Sequence, residues 1–380
     1  MVVSRQLGPA HFGIFSFLTA VVLSANCFSN LGLDTWMVRE VTKIPSQGKH
    51  YLSNILGLKI GTSTVTIALI FLVFNATDLP QSTLNLLWTL SISILFNTVS
   101  QSLWHYGNCF KEFLYHSMLW AASNIIKAGL GIVLVLMFHE LEPLIWGIVI
   151  AEAIALIISF FVIRSRFGII VPEFELIEWR KFLVRSSPIA MGMIFSVLYF
   201  RLDIVMLQLM TGEKIVGFYS ATYRLFDVAV VLPHSFMLVL FPTLVEEYHS
   251  DKSQFKNRFK TALAVYSLIG GSIALILWGF SHEVIITIYG VKFYHSAEIL
   301  EVLSWAILLF FVNFLLSNLL IASGRERKNA WNLVGATVSN IVLNLVWIPQ
   351  YEAMGAAWAT IVCEVGLIVV LSLQIRKVIK

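Results

Sequence analysis

Eight Lys, Arg, Asp and Glu side chains lie well away from the ends of stretches otherwise apolar enough to cross a membrane: Lys59, Lys127, Arg201 and Arg224 against Glu152, Asp203, Asp227 and Glu364. A charge in hydrocarbon costs several kcal/mol, so each must face protein or water and is a candidate for function. Guanidinium groups suit phosphate through bidentate hydrogen bonds. Buried carboxylates are the usual carriers of a coupling proton or cation. At about 1.5 Å per helical residue, Asp203 and Arg224 fall about 10–12 Å below one surface, with Arg201 and Asp227 within about a turn of that level. Arg224 and Asp227 are three residues apart and share a helix face. The spacing predicts a four-charge cluster between neighbouring helices. Lys127 and Glu152 lie about 14–15 Å deep on consecutive helices and can pair in the same way.

Two readings of these charges stand side by side. In one, Arg201, Arg224 and Lys127 attract an anionic ligand while Asp203, Asp227 or Glu152 carries a coupling ion. In the other they are mutually satisfied pairs that fix helix packing, which the equal number of cations and anions favours over a purely cationic pocket. Lys59 lies nearer a surface and is expected to snorkel to it. Glu364 has no obvious partner and is a candidate for the protonated form. Pro233 interrupts a long apolar segment and is either a hinge or a static kink.

These charges are positioned by eleven apolar segments, at about 12–31, 52–74, 83–103, 113–137, 143–163, 188–210, 216–243, 261–280, 296–320, 329–348 and 353–375. Each has the length of a membrane-crossing helix. A hydrophobic content of 58% with 13% charged residues excludes an ordinary soluble domain. Of the 26 Lys and Arg, 19 lie in every second connection, ending with Arg376, Lys377 and Lys380. That side is cytoplasmic by the positive-inside rule, so the C-terminus is inside and residue 1 outside. The net charge of +4 is mostly this bias, and no basic surface for nucleic acid is present. Cys27, Cys109 and Cys363 form no metal-ligand or disulfide pattern, and His105, His116 and His139 are not spaced as ligands. No metal site is expected. Trp104, Tyr106, Trp347 and Tyr351 near segment ends read as interfacial anchors.

The segment 171–187 divides the chain into an N-terminal lobe at 1–170 and a C-terminal lobe at 188–380. Glu173 to Arg185 alternates apolar and charged residues at helical spacing and is expected to lie in the interface plane, with Trp179 and Phe182 toward lipid. Gly13-Ile-Phe-Ser16 and Gly217-Phe-Tyr-Ser220 open corresponding helices of the two lobes at an offset of 204 residues. Subtracting that offset from the helix at 188–210 leaves no partner in the first lobe. Charge topology and repeat together predict an all-α polytopic bundle of two pseudo-symmetric six-helix lobes. The first helix is missing and eleven are present.

Several motifs then occur in order. Arg5-Gln-Leu-Gly-Pro-Ala-His-Phe-Gly-Ile-Phe15 is followed by Asn30-Leu-Gly-Leu33 with Arg39-Glu40, by Pro188 leading to Tyr199-Phe-Arg-Leu-Asp203, and by Gly217-Phe-Tyr-Ser-Ala221 with Pro233 and Phe241-Pro242. Tyr289-Gly-Val-Lys-Phe-Tyr294, Ala322-Ser-Gly-Arg325, Asn340 with Leu343-Asn344, and Gly355-Ala-Ala complete the series. This set resembles the O-antigen type polysaccharide repeat-unit flippases of the multidrug/oligosaccharidyl-lipid/polysaccharide exporter superfamily. The resemblance implies a transporter, not an enzyme, in the cytoplasmic membrane. Its substrate would be a polyprenyl-pyrophosphate-linked oligosaccharide for surface polysaccharide synthesis, moved by alternating access. It implies a pyrophosphate on Arg201, Arg224 and Lys127, no cofactor beyond a coupling H+ or Na+, and polysaccharide polymerase and glycosyltransferases as partners. No GxxxxGK[ST] is present to bind ATP. An ion-coupled multidrug exporter of the same superfamily and a truncated, non-transporting remnant are the alternatives. A membrane enzyme acting on the same lipids would need larger outer loops.

Overall fold

A computed structural model describes the backbone of Val2–Ile379 and the side chains of residues 3–376. Met1, Lys380 and the side chain of Lys377 lie outside what is described. The elements are α1 Val2–Asn30, α2 Leu33–Lys43, α3 Gly48–Asn75, α4 Gln81–Cys109, α5 Phe113–Phe138, α6 Leu141–Phe167, α7 Leu176–Met210, α8 Glu213–Ser250, α9 Lys252–Gly279, α10 Ser281–Tyr289, α11 Ser296–Ala322 and α12 Glu326–Ile379. Among the described residues there is no strand. Among the described residues, ten helical stretches are long and apolar enough to cross a membrane.

The last of these consists of two helical arms. At 54 residues, α12 would be about 80 Å long if straight, far more than a bilayer needs. Its helical path breaks at Glu352, whose φ is 50°. Asn332 and Gln374 then exchange two amide hydrogen bonds of 2.9 Å, which fixes the two arms side by side. With α12 counted as two arms, the described residues hold eleven helices long enough to cross, as the apolar segments predict. The outward faces suit lipid rather than water. Leu72, Val228, Leu238, Val239 and Leu268 are each at least 69% exposed, an arrangement that would aggregate in a soluble protein.

The chain forms two compact units. One comprises Phe17–Arg201; the other comprises Val3–Ser16 with the chain from Leu202 onward. In the first unit α4 packs against α2, α3, α5 and α6. Leu31 and Gly32 both take left-handed backbone, at φ 48° and 70°, and turn the chain from α1 into α2. A Cβ on Gly32 would also sit 2.9 Å from the Ala190 nitrogen. This turn aims Asp34 back into the bundle.

In the second unit α11 is central, packed by α8, α9 and α12. The motif glycines of the internal repeat meet there. A Cβ on Gly13 would lie 1.8 Å from the Glu213 carbonyl oxygen, and one on Gly217 would lie 1.9 Å from that of Pro9. Close backbone crossing of this kind requires glycine. Arg5 reinforces the junction by donating to the carbonyls of Ile288, at 3.0 Å, and Thr287, where α10 ends. A cation there complements the helix dipole. Asp251 starts α9 by accepting from the backbone N–H groups of Ser253 and Gln254, which hold its carboxyl below the usual range. The stability from that cap is present above the unfolded carboxyl value and lost as pH falls through the folded one.

Three expectations are corrected. Phe182 does not face lipid: it is 2% exposed and packs on Trp36 and Tyr51. Trp179 lies over α3, within reach of Gly57 and Gly61. The amphipathic segment from Leu176 is the start of the 35-residue α7, and its aromatic side docks on protein. Trp104 and Tyr106 are core residues, not anchors; the Trp104 indole donates to Ser159 Oγ at 2.7 Å.

Gly13→Ala and Gly217→Ala are each expected to cost more than about 4 kcal/mol, the range of severe packing lesions. Gly192→Ala, in α7 with nothing near its Cβ, is expected to be tolerated. Thermal unfolding of the detergent-purified variants checks this. Equal midpoints for Gly13→Ala and Gly192→Ala would rule out the tight crossing.

Candidate functional site

In the first unit the decisive residue is one the segment boundaries leave out. Asp34 stands just past the predicted first helix, yet it is 2% exposed. Lys59 Nζ donates to both of its oxygens at 2.7 Å and to the Thr98 carbonyl at 3.1 Å. Asn30 and Ser102 fill the remaining acceptor positions at 2.9 and 2.6 Å. Lys59 is fully buried, so the snorkelling expectation is wrong. A nearby carboxylate on α2 outcompetes the distant surface. The three ammonium protons all have acceptors, and this knot joins α2, α3 and α4.

Lys127 and Glu152 pair as the spacing predicts, with Nζ to Oε1 at 2.9 Å. Asn97 donates to the same oxygen at 3.0 Å. Asn97 Oδ1 in turn accepts from Asn26 and Gln101, both at 2.7 Å. Asn30 reaches Gln101 at 3.4 Å. One polar chain therefore runs from Lys127 through Glu152, Asn97, Gln101 and Asn30 to Asp34. Arg201, at the end of this unit, is half-buried.

In the second unit Asp203 is 1% exposed. Tyr219 donates to its Oδ2 at 2.9 Å, Thr360 to the same oxygen at 3.2 Å, and Asn344 to its Oδ1 at 2.6 Å. Asn344 also donates to Asn340 Oδ1 at 3.0 Å. These partners come from α8 and both arms of α12, so the four-charge cluster is not the environment of Asp203. It is held by neutral donors. A phenol, a hydroxyl and an amide NH2 converge on this carboxylate, and none of them carries a charge.

Arg224 is exposed and Asp227 half-buried, one turn apart on α8. Both act on the Tyr289 phenol of α10. Burial pushes that phenol up to about 12; Arg224 opposes this and Asp227 adds to it. Glu364 has the partner that the sequence does not reveal: Asn313 Nδ2 donates to its Oε2 at 2.6 Å and to its carbonyl at 2.8 Å. Pro233 is buried within an unbroken α8, and its carbonyl accepts from Tyr266 at 3.0 Å. On the surface, His50, Glu173 and Glu175 bring ligand atoms within 4.8 Å of one another, with Glu173 already accepting from Asn54.

Solved transporters of the MOP superfamily share this fold. The chain is similar, over 99% of its length and 93% of the other, to the inward-facing conformation of a multidrug resistance MATE family transporter of that superfamily, at 13% identity and a TM-score of 0.72. It is similar to the lipid II flippase MurJ in an inward closed conformation at 17% identity and a TM-score of 0.71, covering 97% and 86% of the two chains. A MOP superfamily transporter from Pyrococcus furiosus, with a binding pocket of reverse polarity, gives 14% identity and a TM-score of 0.59 over 100% and 92%. At such identities the likeness is one of fold. No curated protein matches the chain. The MatE family model matches residues 188–346, and the model of the polysaccharide biosynthesis protein family matches residues 1–247. The chain belongs to the polysaccharide biosynthesis protein family.

Removing one member of the Asp34–Lys59 pair leaves the other charged and buried. Asp34→Asn or Lys59→Gln is therefore expected to cost about 3–5 kcal/mol, and the double variant Asp34→Leu/Lys59→Met less than either. Unfolding midpoints in detergent measure this. A double variant as unstable as the two singles added together would show that the pair is not coupled.

Proposed function

We propose that this protein moves polyprenyl-pyrophosphate-linked oligosaccharides across the cytoplasmic membrane, for surface polysaccharide synthesis, by alternating access. The match of the polysaccharide biosynthesis family over residues 1–247 carries the reading. The fold likeness to a flippase for lipid II, itself a lipid-linked substrate, supports it. Lys127 and Arg201 of the first unit and Arg224 of the second are each candidate ligands for the pyrophosphate head, the arginines through forked hydrogen bonds. Asp203 is the first candidate for the coupling H+ or Na+, because its oxygens are engaged by neutral donors alone; Asp227 and Glu152 are the others. Pro233 serves as the hinge of α8. Glycosyltransferases supply the substrate and a polymerase consumes the product at the opposite face.

A second reading, an ion-coupled multidrug exporter, is favoured by the MatE match over residues 188–346. The two differ in the charge of their cargo.

Expression in a strain lacking its own repeat-unit flippase tests the first reading. The full gene is expected to restore surface glycan. Hydrogen bonds to charged groups contribute about 1.5–3 kcal/mol each, so Arg201→Gln/Arg224→Gln is expected to lower surface glycan by roughly tenfold or more at equal membrane abundance. Full rescue by the double variant would remove both arginines from the site. Drug resistance without glycan rescue would favour the exporter.

A further inference from the structure

The Lys127–Glu152 pair differs from the Asp34–Lys59 knot in ways that point to a moving part. Glu152 is 5% exposed in its side chain, but Lys127 is 25% exposed. Lys59, by contrast, is wholly enclosed. The Lys127 ammonium can thus reach a ligand without unpacking the helix. Asn124, one turn away on the same face of α5, adds a second partly exposed polar side chain. Glu152 Oε2 is buried and accepts no hydrogen bond from any described residue.

Apart from the Asp34–Lys59 pair, which is paired with itself and whose Lys59 reaches the Thr98 carbonyl beside Asn97, few other charges act at this level. The helices packed against α6 are α4 and α5. His105 is the only basic or acidic side chain on α4, and it stands eight residues beyond Asn97, about 12 Å along the axis. On α5, His116 is eleven residues before Lys127, about 16 Å away. On α6 itself, Glu142, Arg164 and Arg166 are ten or more residues from Glu152, at least about 15 Å. Lys127 is the cation that balances Glu152.

We propose that Lys127 and Glu152 form an exchange pair. An anionic phosphate group takes the Lys127 ammonium, and Glu152 takes up one proton from water as it loses its cation. Anion binding and proton uptake are then a single event. A buried carboxylate without a counter-charge is costly and neutralises instead. The receiving oxygen is Oε2. The Asn97 amide cannot turn away, because Asn26 and Gln101 both donate to its Oδ1, so its NH2 group continues to occupy Oε1. No covalent bond changes except the O–H bond formed on Glu152; the proton comes from solvent and returns when the phosphate leaves. The scheme rests on the reading of Lys127 as a ligand for phosphate.

The test uses the purified full chain in detergent, weakly buffered, with farnesyl pyrophosphate as probe. Bound probe and proton uptake are measured together, the latter with a pH-indicator dye. Wild type is expected to take up about one proton more per bound probe than Glu152→Gln, a difference that cancels the probe's own titration. Lys127→Gln is expected to bind the probe at least about tenfold more weakly. A second measurement needs no variant: a protonated-carboxyl infrared band should appear when wild type binds the probe. Equal uptake by wild type and Glu152→Gln, or binding without the infrared band, overturns the exchange pair. Binding unaltered by Lys127→Gln overturns it too while leaving the transport reading intact. A wild type that does not bind the probe overturns both.

Discussion

Hydrocarbon offers no hydrogen-bond partner, and the rest of this structure follows from that. Every buried charge must find its counterpart inside the bundle, and the backbone must be helical wherever it meets lipid. The two units meet this demand differently. In the first, Asp34 is neutralised by Lys59 and every proton and acceptor of the pair is used. In the second, Asp203 is surrounded by a phenol, a hydroxyl and an amide. A carboxylate locked to an ammonium is a fastening. One held by neutral donors keeps its charge available to a proton or a cation, which is why the proposed coupling role falls on Asp203 and not on Asp34.

The same constraint explains what could be read from the sequence. Crossings are legible because apolar runs must be continuous, and the eleven predicted segments correspond to the helices, including the two arms of α12 with Asn332 bonded to Gln374. The Lys127–Glu152 pair was legible because both lie at one depth on consecutive helices. The repeat motif at Gly13 and Gly217 was visible as a pattern; its physical reason, two backbones in contact, appears only in the fold.

The remainder depends on rotation about helix axes, which depth does not supply. Asp203 reads from the sequence as one member of a charge cluster, but it turns toward Tyr219 and Asn344. Asp34 escaped because a left-handed turn at Leu31 and Gly32 returns the chain to the core after the apolar run has ended. Phe182 and Trp104 look like interfacial aromatics by position, and only packing shows them buried. The ordered motifs carried family membership, since they preserve the local geometry that the fold needs.

The central claim is that Asp203 carries the ion that drives the cycle. It is tested most directly by headgroup translocation of a polyprenyl-pyrophosphate-linked oligosaccharide in proteoliposomes, under an imposed sodium or proton gradient. The account predicts that one of these gradients accelerates translocation by the wild-type chain and has no effect on Asp203→Asn at equal reconstitution. Equal acceleration of both proteins would contradict it.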